Sequence, residues 1–250
     1  MTRPDADLPG PAGTSPRELS SEFERSLGGQ AGFSAALASI FRGKFCEAFL
    51  PNRKVTTFKK DQVIYNLGDR DRTCVFLQNG FVKLGAISPG GHEVIYDVRK
   101  AGDIVGELSI SEPQRSDRAV ALEQTDAVLV PAEEVLEFLQ TRPEFVPILL
   151  DGFCRALKDA YAQINTLALD DIVHRLAKVL MSLAARIGER SGSRAEIPTY
   201  LTQEEIAQMV GARRERISTA LNALRRQGMV EYTARGHLVL DMEALAKLSP

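Results

Sequence analysis

Over residues 55–130, short runs of β-branched and aromatic residues alternate with polar, glycine-bearing breaks. The runs read VTTF, QVIY, TCVFLQ, FVKLGA, EVIYDV, DIVGEL, AVAL and AVLV; the breaks include Gly68-Asp69, Asn79-Gly80, Gly90-Gly91 and Ala101-Gly102-Asp103. Strands at roughly ten-residue spacing with turn signals between them predict an all-β barrel or roll. Asn79-Gly80 predicts a tight hairpin between its flanking runs, because Asn and Gly tolerate positive φ. A barrel this small is either packed solid or encloses one small ligand. On both sides of this block the period becomes helical. Phe33, Leu37, Ile40, Phe41 and Phe45 predict a short amphipathic helix over 33–49. Pro131 and Pro143 punctuate a short helix over 132–140. Leu149, Phe153, Ala156, Ala160, Ile164 and Leu167 then recur at four- and three-residue intervals, close to a heptad seam. The spacing alone leaves that seam open to an antiparallel helix of the same chain or to a second copy. Asp170 or Asp171 predicts the N-cap of a further helix that runs to about Arg186 and buries Leu176, Val179, Leu180 and Leu183. GERSGSR, at 188–194, predicts a flexible connection.

The pattern at 202–224, TQEEIAQMVGARRERISTALNAL, is the most specific in the chain. Thr202 with Glu205 three residues on is a capping box, so a helix begins at Gln203. Ile206, Ala207 and Val210 form its inner stripe, Gly211 supplies a left-handed turn residue, and Ile217, Leu221 and Leu224 face inward from a second helix. Small Ala207, Gly211 four later and branched Ile217 six beyond predict a helix-turn-helix. The start of its second helix carries Arg213, Arg214, Glu215, Arg216, Ser218 and Thr219. In this motif those positions reach base edges in the major groove. Arginine pairs with guanine O6 and N7, and glutamate accepts from cytosine N4. Thr202 and Gln203 are further DNA-facing candidates. Residues 229–232 and 237–240 predict a hairpin around Thr233-Ala234-Arg235-Gly236: a wing that places Arg235 on phosphate.

Composition adds limits. The 250 residues fit one large domain or two small ones, and the apolar fraction of 44% and charged fraction of 26% are ordinary for a globular chain. No apolar run approaches the ~18 residues of a membrane span, and the first residues lack the apolar core of a signal peptide; a cytoplasmic protein is expected. Residues 1–30, rich in Pro and Gly, read as a flexible arm. The 31 basic and 33 acidic residues nearly balance, but 211–240 holds six arginines against two acids, the footprint of a polyanion partner. Three scattered cysteines (Cys46, Cys74, Cys154) argue against a disulfide framework, and the spacing of His92, His174 and His237 matches no zinc pattern. No Gly-x-Ser-x-Gly, Walker loop, His-Glu-x-x-His or Cys-x-x-Cys occurs, so no enzyme class is indicated.

The glycine-punctuated roll, long helix and winged helix-turn-helix together resemble the cyclic-AMP receptor/fumarate-nitrate-reduction (CRP/FNR) family of bacterial transcription regulators, over roughly residues 35–245. Gly106-Glu107-Leu108-Ser109, Thr166-Leu167-Ala168 to Arg175-Leu176-Ala177, and Gly211 to Ser218 carry the resemblance. It implies an α+β fold: an arm at 1–30, a cyclic-nucleotide-binding-like β-roll (jelly roll) at 31–142, a dimerisation helix at 143–169 and a C-terminal winged helix-turn-helix at 170–250. It also implies a homodimer through the seam, a palindromic operator in double-stranded DNA, and RNA polymerase as a protein partner. By the same resemblance Arg214-Glu215 reads the half-site, and Thr219 stands where a third, often basic, reader is usual.

The resemblance further implies a nucleotide site, with Glu107 on a ribose hydroxyl and an Arg-Ser pair on the cyclic phosphate. Here Arg115-Ser116 follows Glu107 by only eight residues, a shorter loop than the family's, and Arg118 is a rival. The small hydroxyls that a cyclic-AMP sensor places on the long helix are replaced by Ala160 and Tyr161. Tyr161 could stack on a base or fill the pocket. Three states stay open: a cyclic-AMP switch, a site for another cyclic mono- or dinucleotide, and a filled pocket, with cyclic AMP itself the least supported. Iron–sulfur sensing would need four thiolates, and the haem-ligating histidine of other members is absent after Gly106-Glu107. The competing function is a cyclic-nucleotide-binding module that regulates a protein partner; it leaves the winged helix without a role.

Overall fold

The computed structural model describes residues 52–143 and 146–248, without the side chains at 146–149, 151–153 and 155–156. The arm and the helix expected over 33–49 lie outside the described residues. Eight strands form the roll: β1 (Val55–Phe58), β2 (Val63–Tyr65), β3 (Thr73–Asn79), β4 (Phe81–Ile87), β5 (Glu93–Lys100), β6 (Ile104–Val105), β7 (Arg118–Ala121) and β8 (Thr125–Pro131). They make two antiparallel sheets, ordered β1-β8-β3-β6 and β2-β7-β4-β5. Phe58, Tyr65, Val75, Leu77, Val82, Leu84 and Val105 fill the space between them.

Asn79-Gly80 is not the expected hairpin. β3 and β4 lie in different sheets, so the dipeptide is a corner. Gly80, at φ 83°, turns the chain there, and the Phe81 carbonyl accepts from Leu122 N at 2.8 Å across the second sheet. A positive φ serves a corner as well as a tight turn, and the local sequence does not separate the two. The run DIVGEL is also shorter as a strand than its pattern predicts. β6 ends at Val105, Gly106 is left-handed, and Glu107–Ile110 form a 3₁₀ turn. In β5, Leu84 faces Asp97 while Gly85 faces Ile95, so Tyr96 is the extra residue of a β-bulge.

Six helices follow among the described residues: α1 (Ala132–Thr141), α2 (Val146–Leu169), α3 (Ile172–Ile187), α4 (Gln203–Val210), α5 (Arg214–Arg226) and α6 (Met242–Leu248). Asp171 caps α3, its carboxylate accepting from Val173 N and His174 N. The Thr202–Glu205 capping box opens α4, and Gly211, at φ 67°, closes it. GERSGSR is not a loose linker: β9 (Glu189–Ser191) and β10 (Arg194–Glu196) pair around left-handed Gly192. They continue the wing strands β11 (Val230–Tyr232) and β12 (Leu238–Asp241) in one sheet, ordered β11-β12-β10-β9. Fully buried Ala195 and Ile197 pin this stretch to the core. α6 was not expected, although the Asp241 carboxylate caps it through Glu243 N and Ala244 N.

The winged part does not stand apart from the roll. Ile95, Val98 and Leu122 of the roll belong to the same buried cluster as Leu176, Leu180, Ile206, Ile217 and Leu224. At its edge Lys83 Nζ meets Glu205 Oε1 at 3.1 Å. α2, in contrast, turns Leu150, Leu157, Tyr161, Ile164 and Leu167 outward, 47–59% exposed. Ala160 is exposed beside them.

Candidate functional site

Two places concentrate chemistry. The first is the start of α5. Ile217, Ala220, Leu221 and Leu224 bury one face of this helix, which turns Arg214, Glu215, Arg216 and Thr219 to solvent behind exposed Arg213. Ser218 is half-buried, as are Thr202 and Gln203 at the start of α4. Among the described residues, no carboxylate pairs with Arg213, Arg214, Arg216 or Arg235, whereas Arg72, Arg118, Arg186 and Arg194 each hold one. Thr219 turns its hydroxyl back to the Glu215 carbonyl at 3.0 Å. The wing tip exposes Arg235, and His237 Nδ1 lies 2.9 Å from Glu196 Oε1 at its base.

The second place is the turn that leaves β6. The Gly106 carbonyl accepts from Ser109 Oγ at 2.6 Å and from Arg115 Nη1 at 3.1 Å. A Cβ on Gly106 would lie 2.3 Å from Arg115 Nη1, so only glycine, here at φ 78°, admits the guanidinium this close. Arg115 Nη2 also donates to the Thr73 carbonyl (2.6 Å) and to Asp71 Oδ2 (2.9 Å). Its guanidinium stacks 4.1 Å over the Tyr65 ring, and the side chain is 1% exposed. Leu108 and Ser116 are exposed, and Arg118 is held by Glu93 at 3.1 Å. Tyr161 is 58% exposed on α2 rather than inside the turn.

Three residues that the sequence does not single out, Arg99, Asp97 and Asp117, complete this place. Arg99, on β5, puts Nη2 3.3 Å from Glu107 Oε1 and Nε 2.6 Å from Asp97 Oδ2. Asp117 is buried, accepts from the Tyr65 hydroxyl at 3.2 Å, and leaves Oδ1 without a hydrogen bond. Burial raises the pKa of Glu107 against the pull of Arg99, and burial raises that of Asp117 against its Tyr65 hydrogen bond and Arg115. Burial opposes the charge on Arg99, but Asp97, Glu107 and Asp103 outweigh it and hold the guanidinium above its ordinary value. Burial, with Glu107 nearby, pushes the Cys74 thiol up to about 12, a packed and unreactive state.

These residues do not fit a cyclic phosphate. Nη1 and Nη2 of Arg115 are committed to oxygens of its own chain, its buried Nε has no partner, Glu107 is paired with Arg99, and an anion drawn to Arg115 would meet the Asp117 carboxylate. Among the described residues, no group of three His, Cys, Asp or Glu side chains is placed to hold a metal ion. None of the described helices is long and apolar enough to cross a membrane.

Comparison with known proteins agrees with this anatomy. Residues 55–142 match a cyclic nucleotide-binding domain, and residues 174–248 match a Crp-like helix-turn-helix domain. The chain is 30% identical over 216 residues to the CRP-like cAMP-activated global transcriptional regulator of Mycobacterium tuberculosis (strain ATCC 25618 / H37Rv), covering 85% of this chain and 96% of that one. It is also 30% identical over 198 residues to the global nitrogen regulator of Nostoc sp. (strain PCC 7120), covering 78% and 88%. In fold it is similar to FixK2 from Bradyrhizobium japonicum, with a TM-score of 0.70 at 20% identity, over 79% of this chain and 98% of that one.

Proposed function

Because the chain belongs to the CRP/FNR family of bacterial transcription regulators, we propose that it acts in the cytoplasm as a homodimer that reads a palindromic operator in duplex DNA. The start of α5 enters the major groove. Arg214 pairs with guanine O6 and N7, and Glu215 accepts from cytosine N4. Thr219 has no bidentate contact to offer, so Arg213 and Arg216 share the remaining readout. Arg235 grips phosphate from the wing. The outward apolar row on α2, in which Leu150, Leu157 and Ile164 are seven residues apart, meets its copy in a second chain. That seam sets the separation of two recognition helices at about one turn of DNA. RNA polymerase is the protein partner that such a bound dimer serves.

The observation that supports this reading most is the set of exposed arginines at the start of α5 without carboxylate partners among the described residues. Of the three states open for the roll, the arrangement around Arg115, Asp117 and Arg99 favours the closed one. Regulation of a protein partner through the roll alone has no observation behind it once a Crp-like helix-turn-helix is present.

The test is selection of duplexes from random DNA, followed by anisotropy at one stated salt concentration with no ligand and with cyclic AMP, cyclic GMP or cyclic di-GMP. A palindrome with half-sites centred about 10 base pairs apart is expected. Failure to enrich any duplex under all four conditions sinks the proposal.

A further inference from the structure

We propose that Arg99 is the built-in occupant of the Gly106-Glu107 turn, and that through Asp97 and Arg186 it locks the winged part against the roll without a nucleotide. The proposal rests on the DNA-reading function above and adds to it the residues that set the arrangement. Glu107, the acid that the family resemblance assigns to a ribose hydroxyl, faces Arg99 Nη2 at 3.3 Å. Arg99 Nε lies 2.6 Å from Asp97 Oδ2, and the other Asp97 oxygen meets Arg186 Nη2. Arg186 belongs to the last turn of α3, the helix that begins the winged part. An unbroken file of alternating charges, Glu107–Arg99–Asp97–Arg186, therefore runs from the turn of the roll into the winged part.

The setting makes this file more than a surface contact. The side chains of Glu107, Asp97 and Arg99 are only 7–8% exposed. An exposed ion pair contributes little, but removing one member of a buried pair strands the other in a medium that cannot solvate it. Neither Nε nor Nη1 of Arg99 has a hydrogen-bond partner, so the guanidinium stays charged and buried on the strength of its charge contacts with Asp97 and Glu107 and of Asp103 nearby. The tie is also not single. A second file, Arg118–Glu93–Lys83–Glu205, crosses the same boundary: Glu93 lies 3.1 Å from Arg118 and 3.9 Å from Lys83, and Lys83 lies 3.1 Å from Glu205. Between the two files, Ile95 and Val98 of β5 are buried with the apolar residues of α3 and α4. A cyclic phosphate would have to take Nη1 and Nη2 of Arg115 from the three chain oxygens that hold them, and would lie beside Asp117.

The full-length protein and its Arg99→Met, Asp97→Asn and Arg186→Gln variants separate the possibilities. Hydrogen exchange reads the lock without DNA. Amides of α3 and α4 are expected to exchange faster in each variant, by about 5- to 150-fold, the span of an ordinary coupling between sites. Exchange in the wild type is expected to stay unchanged on adding cyclic AMP, cyclic GMP or cyclic di-GMP. Anisotropy on the selected duplex is expected to show affinity changed at least about fivefold in each variant. Arg186 is 28% exposed in its side chain, so Arg186→Gln folds even where Arg99→Met does not, and circular dichroism checks this. Wild-type exchange in Arg186→Gln overturns the proposal, as does wild-type DNA affinity in that variant. So does a cyclic nucleotide that protects the 106–117 amides or alters DNA affinity. If no duplex is selected yet α3 loosens in the variants, the DNA reading fails and the lock stands.

Discussion

Arg115 and Asp117 sit two residues apart and both are buried, yet they do opposite things to the turn beside them. Arg115 binds its Gly106 carbonyl and ties it to Thr73 of β3, and Asp117 leaves an acceptor free. Asp117 holds its proton to higher pH in the folded chain than in the unfolded one. Its contribution to stability is therefore full at low pH and is lost as pH rises past the usual carboxylate range towards the raised value. Asp117→Asn keeps an acceptor for Tyr65 and removes that loss. Urea unfolding at a series of pH values should show a smaller fall in stability above about pH 4 for Asp117→Asn than for the wild type. On the DNA side, Arg214→Ala should cost about 1–3 kcal/mol and relax preference at one base pair, whereas Arg235→Ala should weaken all duplexes alike and flatten the salt slope. Equal loss on every duplex for Arg214→Ala would remove it from base readout. The family resemblance marked Glu107 and Arg115, and the helix-turn-helix pattern marked the recognition arginines. The sequence hid Arg99, Asp97 and Asp117. EVIYDVRK reads as an ordinary half-buried strand, and nothing local reveals that the bulge at Tyr96 shifts its alternation.

At the level of elements, the helix-turn-helix was legible almost to the residue, because its signals are local. Thr202 Oγ1 accepts from Glu205 N at 3.1 Å, and Glu205 Oε2 accepts in return from Thr202 N at 2.9 Å. Thr202→Ala should cost about 0.5–2 kcal/mol, read as a lower denaturant midpoint at unchanged m-value. What pairing decides was less legible. Asn79-Gly80 turns a corner because β3 and β4 find partners in different sheets, and 188–196 form a hairpin because β12 offers an edge to β10. Neither partner is visible from the segment itself. α6 could have been found from Asp241 ahead of MEALAKL, a cap before an apolar-periodic run. The long helix shows a third case. The sequence reading ran its seam through Ala160, Ile164 and Leu167, whereas Leu157, 52% exposed one heptad before Ile164, widens the row. Leu157→Glu should place a charge in that seam. Sedimentation is expected to show monomer at concentrations where the wild type is dimeric, with operator affinity reduced at least tenfold, about 1.4 kcal/mol or more. A dimer of unchanged strength would move the seam elsewhere.

For the whole molecule, the succession of roll, long helix and winged part among the described residues was legible, because each has its own period. How the parts sit together could not be read, because that depends on contacts between residues far apart in sequence, such as Lys83 with Glu205 and Asp97 with Arg186. The burial of Ile95, Val98 and Leu122 with the helices of the winged part has a calorimetric consequence. Two bodies joined by a linker melt as two events. A roll that lends three of its side chains to the interior of its neighbour cannot lose its structure without opening that interior. A scanning experiment on the full chain should therefore give one peak, with calorimetric and van't Hoff enthalpies in agreement per cooperative unit. Two resolved peaks would mean that the shared interior is too weak to join them. If the peak is single, a substitution deep in the roll would shift the temperature at which the DNA-reading helix disappears, although no atom of that helix had been touched.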